Sequence, residues 1–355
     1  MNHERAKKPI TIIAGPARAG KTSRVVSLFL ESQRSARSPL IVVPDASAAR
    51  VMRRRLLDSL DIIQTSSVST FVALAEKILA SANVTAHEIP PHDRELLLRD
   101  IVRRLDTNGK LNYFAPVAAF PGLYSQLASF IRELKSCQIE PDAFNSPAFQ
   151  SSPRDRELAL IYSAYQVALA GDKLYDSEGR FWEARLVLEK AKPPFLQCDD
   201  LFIDGFTDFT ANELLLLSTL SRHVANIAVT LPFDDARRGE LFARASDTME
   251  RLGRDFSLRV DQLPAARVDS ASARLAASFL DPDASGRREP SAGAIRVIAA
   301  AGARMEASEI AREAKRLILA GRSPSDIAVV TRARGLYRDL LAEAFAESNP
   351  NVKPT

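Results

Sequence analysis

Residues 15–22 have the composition and spacing of a phosphate-binding loop. They read GPARAGKT and satisfy the pattern G-x-x-x-x-G-K-[ST]. In such a loop the glycines let backbone N–H groups surround phosphate oxygens, the lysine ammonium meets the β- and γ-phosphates, and the last hydroxyl binds magnesium. We therefore predict that the loop binds ATP and Mg²⁺. The predicted nucleotide-binding residues are Gly15, Arg18, Ala19, Gly20, Lys21 and Thr22, and Thr22 is also a predicted magnesium ligand.

A nucleotide-hydrolysing site of this type also needs a carboxylate at the end of a second strand to hold the metal. Asp204 follows the apolar run Leu201–Ile203 and is the predicted second magnesium ligand. Active helicase-type ATPases place another carboxylate directly after this aspartate to orient the attacking water, whereas Gly205 follows here. We therefore expect ATP binding with weak or no hydrolysis. The alternative is that Asp204 and Gly205 only form a turn at the end of a strand.

The sequence indicates which elements position these residues. Ile10–Ala14 and Leu40–Val43 are short apolar runs, each followed by a helical pattern, as in the β-α-β units of a parallel sheet. A second such unit comprises Leu201–Ile203, the amphipathic stretch Asn212–Ser221 and the apolar run Asn226–Leu231. The sequence therefore predicts an α/β fold.

The apolar spacing becomes helical between the two halves of this sheet, in Phe71–Ser81, Asp93–Leu105 and Leu123–Leu134. Further along, the chain becomes rich in Ala, Ser, Pro and Arg, which is typical of a connector. The predicted organisation is a first part of the α/β domain in 1–75, a helical insertion in 76–194, a second part of the α/β domain in 195–262, a connector in 263–294 and the start of a second, truncated α/β domain in 295–355.

The predicted second domain begins with another alternation of strand and helix. Its expected elements are a strand at Ile295–Ala299, a helix at Glu306–Ala320 and a strand at Asp326–Thr331. Too few residues follow to complete a sheet.

The bulk composition is that of an ordinary globular protein. Hydrophobic residues make up 46% of the chain and charged residues 26%, with a formal net charge of +4. Because the apolar runs are shorter than the roughly 18 residues of a membrane span, we expect a cytoplasmic protein with no membrane partner. Cys137 and Cys198 lack the spacing of a metal site or a disulfide framework, and we expect two buried thiols.

Five segments, in this order and spacing, carry a resemblance to a known family. They are GPARAGKT (15–22), LIVVPDASAARVMRRRLL (40–57), VSTFVALAEKIL (68–79), LFIDGFTDFTANELLLL (201–217) and GRSPSDIAVVTR (321–332). The series resembles a superfamily 1 helicase core, and more specifically the B subunit of AddAB (RexAB) helicase-nucleases. IDGFTDFT stands in place of the helicase Asp-Glu pair, and no adenine-reading glutamine segment precedes the loop.

The resemblance implies a RecA-like P-loop NTPase fold and a DNA-processing role. The chain would be a helicase-like subunit of a complex that processes double-strand breaks for recombinational repair, binding single- and double-stranded DNA ends. Its partner would be an AddA-type helicase-nuclease subunit that supplies the motor. The family's B subunit ends in a nuclease domain with an iron-sulfur cluster, whose cysteines and carboxylate motif this chain lacks. We therefore expect neither nuclease activity nor an iron-sulfur cluster in this chain.

The resemblance also assigns positions outside the phosphate-binding loop. Thr70 and Phe71 match a segment that lies along single-stranded DNA, where an aromatic ring stacks on a base. The alternative for Phe71 is that it packs in a core with its helix. Arg332 matches the arginine that reaches the γ-phosphate from the second motor domain, although Thr331 replaces the preceding adenine-stacking aromatic residue.

Two other functions fit part of the pattern. A stand-alone P-loop ATPase or small-molecule kinase needs only the phosphate-binding loop and Asp204, and predicts turnover without DNA. A purely structural subunit predicts a loop that binds no nucleotide.

Overall fold

The computed structural model describes residues 7–64, 67–82, 86–190, 196, 198–233, 242–264 and 295–348. The chain divides into two compact units, residues 1–267 and 268–355. Of the predicted connector 263–294, only residues 263 and 264 lie within the described part.

The first unit contains eight strands and ten α-helices among its described residues. Its strands are β1 (Lys8–Gly15), β2 (Pro39–Val42), β3 (Val68–Ser69), β4 (His87–Glu88), β5 (Leu174–Tyr175), β6 (Asp200–Ile203), β7 (Asn226–Pro232) and β8 (Phe256–Gln262). Its helices are α1 (Lys21–Arg34), α2 (Ala46–Leu57), α3 (Phe71–Ser81), α4 (Pro91–Thr107), α5 (Pro121–Ser136), α6 (Pro141–Phe144), α7 (Pro153–Gly171), α8 (Gly179–Lys190), α9 (Ala211–Leu220) and α10 (Ala243–Asp255).

Six strands form a parallel sheet in the order β3-β2-β6-β7-β1-β8. The central strands consist mostly of apolar residues, because helices cover both faces of the sheet, as is usual for parallel sheets. Ile12 and Ile13 of β1 are each 0% exposed and point to opposite faces. The predicted α/β class with a parallel sheet is confirmed.

Helices cover the two faces of this sheet. On one face α1 and α2 pack through Val25, Phe29 and Met52. On the other, α3, α8, α9 and α10 form a larger core. A capping box starts α9, because the Thr210 hydroxyl accepts from the Glu213 N–H and the Glu213 carboxylate accepts from the Thr210 N–H.

A separate hydrophobic cluster joins α4, α5, α6 and α7 around Leu98, Ile131 and Tyr162. A buried ion pair lies beside it, with 2.7 Å between Lys135 Nζ and Asp176 Oδ2. The same carboxylate accepts from the Tyr165 hydroxyl and from the Gly179 N–H. These contacts connect α5 and α7 to the start of α8.

The second unit contains α11 (Ala303–Leu319) and α12 (Arg334–Ser348) among its described residues. The two helices pack through Ala307, Ala311 and Ala344. The predicted helix at Glu306–Ala320 is therefore confirmed with slightly shifted ends.

The two predicted strands of this unit are wrong, because residues 295–300 and 327–331 lie outside any strand. Val297 is 89% exposed and Val330 is 91% exposed. Both segments have the β-branched composition of strands, but a strand also requires a hydrogen-bonded neighbour. Composition alone does not supply that neighbour.

The expectation of two buried thiols is half correct. Cys198 is buried and its thiol donates to the Asp200 carbonyl at 3.3 Å. Cys137 is exposed, since it caps the C-terminus of α5 beyond that helix's buried side chains. Among the described residues, every helix is too short or too polar to cross a membrane.

Candidate functional site

The predicted phosphate-binding loop connects the end of β1 to the start of α1. Gly20 lies directly before the helix with a φ of 88°, and Arg18 also has a positive φ of 64°. A Cβ atom at Gly15 would lie 2.8 Å from the Ala19 Cβ and 3.2 Å from the Leu263 carbonyl oxygen. Glycine is therefore required at position 15 by close packing and favoured at position 20 by backbone conformation.

The side chain of Lys21 folds back over this loop. Its ammonium donates to the carbonyl oxygens of Gly15 and Pro16, each at 2.7 Å. Burial lowers the pKa of Lys21, and the nearby Asp204 carboxylate opposes that shift. The loop therefore holds a partly desolvated cation beside a helix N-terminus, which is an arrangement suited to phosphate.

The structure brings Thr22 and Asp204 together although they lie 182 positions apart in sequence. Thr22 Oγ1 donates to Asp204 Oδ2 at 3.0 Å. Asp204 follows β6 and is only 5% exposed. Because β6, β7 and β1 are consecutive in the parallel sheet, their carboxyl ends meet at one edge, where this contact forms.

Thr230, near the end of β7, also contacts Asp204. Its hydroxyl donates to Asp204 Oδ1 at 2.8 Å and accepts from the Gly205 N–H at 3.2 Å. Thr230 is 2% exposed. It is absent from the residues predicted for the site, although a hydroxyl inside an otherwise apolar strand was a visible signal.

The donor set at this edge fits magnesium. Thr22 and Asp204 offer only oxygen atoms, which Mg²⁺ prefers, and Mg²⁺ is commonly held by one or two protein groups together with substrate phosphates. In the part of the chain that the structure describes, no group of three or more His, Cys, Asp or Glu side chains is arranged to hold a metal by itself. The residues therefore suit a metal that arrives with a nucleotide.

Gly205 follows Asp204 directly, where we expect a carboxylate in an active ATPase. Its φ is 86°, and a Cβ atom there would lie 3.4 Å from the Pro44 Cδ. The following loop is anchored by Phe206 and Phe209, whose buried rings stack with centroids 4.9 Å apart. Asp208 is exposed on this loop.

Thr70 and Phe71 lie at the start of α3. The Thr70 hydroxyl accepts from the Ala73 N–H at 3.1 Å and so caps the helix. Phe71 is 2% exposed, and its ring meets Phe206 and Phe209 edge to face at 5.5 and 6.2 Å. The ring therefore lies in the core and is not open to a base in this conformation. Contact between DNA and this segment stays a prediction.

Arg332 lies in the second unit and is exposed. Its predicted contact with a γ-phosphate stays a prediction.

Comparison with known proteins finds a matching family model and relatives that share one subunit name. The family model described as "ADDB, N-terminal" matches residues 12–258. The B subunit of an ATP-dependent helicase/deoxyribonuclease from Listeria innocua is 26% identical over 361 residues, covering 96% of this chain and 30% of the relative. Proteins with the same name are 31% identical in Moorella thermoacetica, covering 67% of this chain and 23% of the relative, and 28% identical in Geobacillus kaustophilus, covering 79% and 26%. The chain thus spans about 30% of the length of the first of these relatives.

Proposed function

The chain belongs to the AddB N-terminal family, and we propose that it is the nucleotide-binding, helicase-like part of a subunit in a DNA helicase-nuclease complex. In this proposal the complex processes double-strand-break ends in the cytoplasm for recombinational repair. An AddA-type subunit is the partner, and single- and double-stranded DNA ends are the substrate. The relatives are named as the B subunit of an ATP-dependent helicase/deoxyribonuclease, which supports the partner and the DNA substrate.

The observation that carries the nucleotide-binding part is the contact between Thr22 and Asp204. It joins the phosphate-binding loop to the end of β6 at 3.0 Å, with Lys21 beside it. In P-loop NTPases, a hydroxyl and a carboxylate in these positions hold magnesium. This geometry supports a RecA-like P-loop NTPase fold for the first unit, with residues 76–194 as a helical insertion.

The residues at positions 18–22 of the loop have defined tasks in this proposal. The backbone N–H groups around Arg18, Ala19 and Gly20 would donate to the phosphates, and the Lys21 ammonium, which here donates to two carbonyl oxygens, would bind phosphate oxygens. Thr22 and Asp204 would hold Mg²⁺, which would neutralise phosphate charge. Gly205 provides no carboxylate to orient water, so nucleotide is held with weak or no hydrolysis.

The test is nucleotide binding by the full chain and by Lys21→Ala, with Lys110→Ala as a matched control because Lys110 is an exposed lysine outside the loop. Wild type and the control bind MgATP, and Lys21→Ala binds at least about tenfold more weakly, since it loses a charge-assisted contact of about 1.5–3 kcal/mol. Thermal unfolding provides a second readout, because saturating ligand stabilises a folded protein by about 2.7 kcal/mol at a hundredfold excess over Kd.

Hydrolysis assays with and without single-stranded DNA complete this experiment. Binding without turnover is the expected result. DNA-stimulated hydrolysis would show that another carboxylate replaces the one absent at Gly205, and DNA-independent turnover would favour a stand-alone ATPase or kinase. Absence of binding by the wild type would refute the nucleotide-binding proposal and favour a structural subunit.

A further inference from the structure

Thr230 contacts two residues of the candidate site, the side chain of Asp204 and the backbone of Gly205. It is one of the two inner residues of a hydrogen-bonded series that runs from Thr22 to the Asp204 carboxylate, then to the Thr230 hydroxyl and to the Gly205 N–H. The residues come from α1, the segment after β6, and β7. Thr230 therefore contacts both the aspartate proposed to bind the metal and the glycine that replaces the usual carboxylate.

The hydrogen bonds define what the Thr230 hydroxyl does. Its single proton goes to Asp204 Oδ1, so its oxygen is free to accept the Gly205 N–H. With Oδ1 occupied in this way, Oδ2 is the oxygen that faces Thr22. The hydroxyl thus sets the rotation of the carboxylate and holds the backbone that follows it.

Burial makes this arrangement rigid. Thr230 is 2% exposed and Asp204 is 5% exposed, so water has little access to either group. A β-branched side chain in a strand has few accessible rotamers, which fixes the hydroxyl direction. Hydrogen bonds to a charged group in such surroundings are stronger than those between neutral groups.

We infer that Thr230 is a positioning residue for magnesium-dependent nucleotide binding: it orients the Asp204 carboxylate toward Thr22 and holds the backbone of Gly205 in place. This inference rests on the proposed nucleotide-binding function. In this inference Thr230 acts through its contacts with Asp204 and Gly205.

The inference predicts a specific pattern of affinities. Thr230→Val keeps the shape and removes the hydroxyl, so the Asp204 carboxylate loses its fixed rotation. Affinity for ATP in the presence of Mg²⁺ then falls by about tenfold, as expected from loss of a hydrogen bond to a charged group. Affinity in EDTA stays unchanged, because Lys21 and the backbone N–H groups of the loop are untouched. Thr230→Ser keeps a hydroxyl and retains most of the magnesium effect.

The experiment measures ATP affinity of the full chain in Mg²⁺ and in EDTA for wild type, Thr230→Val, Thr230→Ser and Asp204→Asn. Asp204→Asn serves as the reference for loss of the magnesium effect. Thermal unfolding of each variant reports whether the fold is intact, and Thr230→Ala replaces the valine variant if that variant does not fold.

Each outcome decides between the proposals. An unchanged ratio of the two affinities in Thr230→Val, or an equal fall in both, would overturn the positioning role while leaving the nucleotide-binding function in place. Failure of both Thr230→Val and Thr230→Ala to fold would assign the hydroxyl to sheet stability instead. No binding by the wild type under either condition would refute the nucleotide-binding function and this inference with it.

Discussion

The backbone at Gly205 has a φ of 86°, a conformation that L-residues, which carry a Cβ atom, adopt at a cost of about 1–2 kcal/mol. A Cβ atom there would make an ordinary van der Waals contact with Pro44, 3.4 Å from its Cδ, so the cost comes from the backbone conformation. A carboxylate at position 205 would therefore require more than a change of side chain, because the backbone conformation that glycine adopts here is unfavourable for glutamate.

From this geometry we predict that Gly205→Glu does not create an efficient ATPase. The variant loses about 1–2 kcal/mol of unfolding free energy through backbone strain, and its DNA-stimulated hydrolysis stays near the wild-type rate. Chemical denaturation and a steady-state phosphate-release assay measure the two effects. Gly205→Ala is the control, since it carries the strain without the carboxylate. Wild-type stability together with new DNA-stimulated turnover would contradict the prediction.

At the residue scale, the sequence predicted those site residues whose spacing is imposed by phosphate and magnesium binding. Lys21 and Thr22 follow from the loop pattern, and Asp204 follows from its position after an apolar run; the structure places all three together. Thr230 was not predicted from the sequence, because its contact with Asp204 depends on which strands are neighbours in the sheet. Threonine is also common in strands for reasons of packing alone.

At the element scale, Glu157 of α7 stabilises the segment that connects α4 to α5. The carboxylate is 7% exposed and accepts from the backbone N–H groups of Asn112, Tyr113 and Phe114 at 2.7, 2.7 and 3.0 Å. Burial alone would raise the pKa of Glu157, but the three N–H donors outweigh it and lower the pKa below its ordinary value of 4.5.

We predict that Glu157→Gln destabilises the first unit at pH 7 by about 1–3 kcal/mol, because buried N–H groups lose their charged acceptor. A lowered pKa in the folded state means that the stabilisation is complete above the ordinary value of 4.5 and disappears as the pH falls through the folded-state pKa. The difference between wild type and variant therefore shrinks on acidification.

Urea unfolding at a series of pH values measures this dependence. Glu133→Gln is a suitable control, since Glu133 is exposed on α5. A difference between wild type and Glu157→Gln that is constant from neutral to acidic pH would contradict the assignment.

The strands and helices were predicted correctly where the apolar pattern of the sequence matches the burial of side chains in the structure. The runs that became β1, β2, β6 and β7 and the amphipathic stretch that became α9 were recognised, with ends shifted by a few residues. β8 was missed because it is an edge strand in which several side chains are exposed, so its sequence lacks a continuous apolar run. The prediction for residues 295–299 shows the opposite error. A strand was predicted there from an apolar run, but these residues form no strand.

At the scale of the whole molecule, the candidate nucleotide site belongs to one unit. Lys21, Thr22, Asp204 and Thr230 all lie within residues 1–267, as do all six strands of the large sheet. We predict that a fragment of residues 1–267 folds and binds MgATP with the same dependence on Lys21 as the full chain. Circular dichroism and nucleotide titration test this, and a fragment that is folded but does not bind, beside a full chain that does, would contradict it.

The position of β1 in the sheet has a consequence for synthesis of the chain. β1 is made before the other strands that the structure describes, yet its neighbours are β7 and β8, with Thr11 opposite Ala228 and Arg259. At about 5–20 residues per second, a ribosome completes those partners roughly 10–50 s after it completes β1. During that interval β1 and the phosphate-binding loop that follows it lack the two strands that flank β1 in the sheet. β1 can therefore pair with both neighbours, and the phosphate-binding loop can be fixed between them, only after most of the first unit has been synthesised.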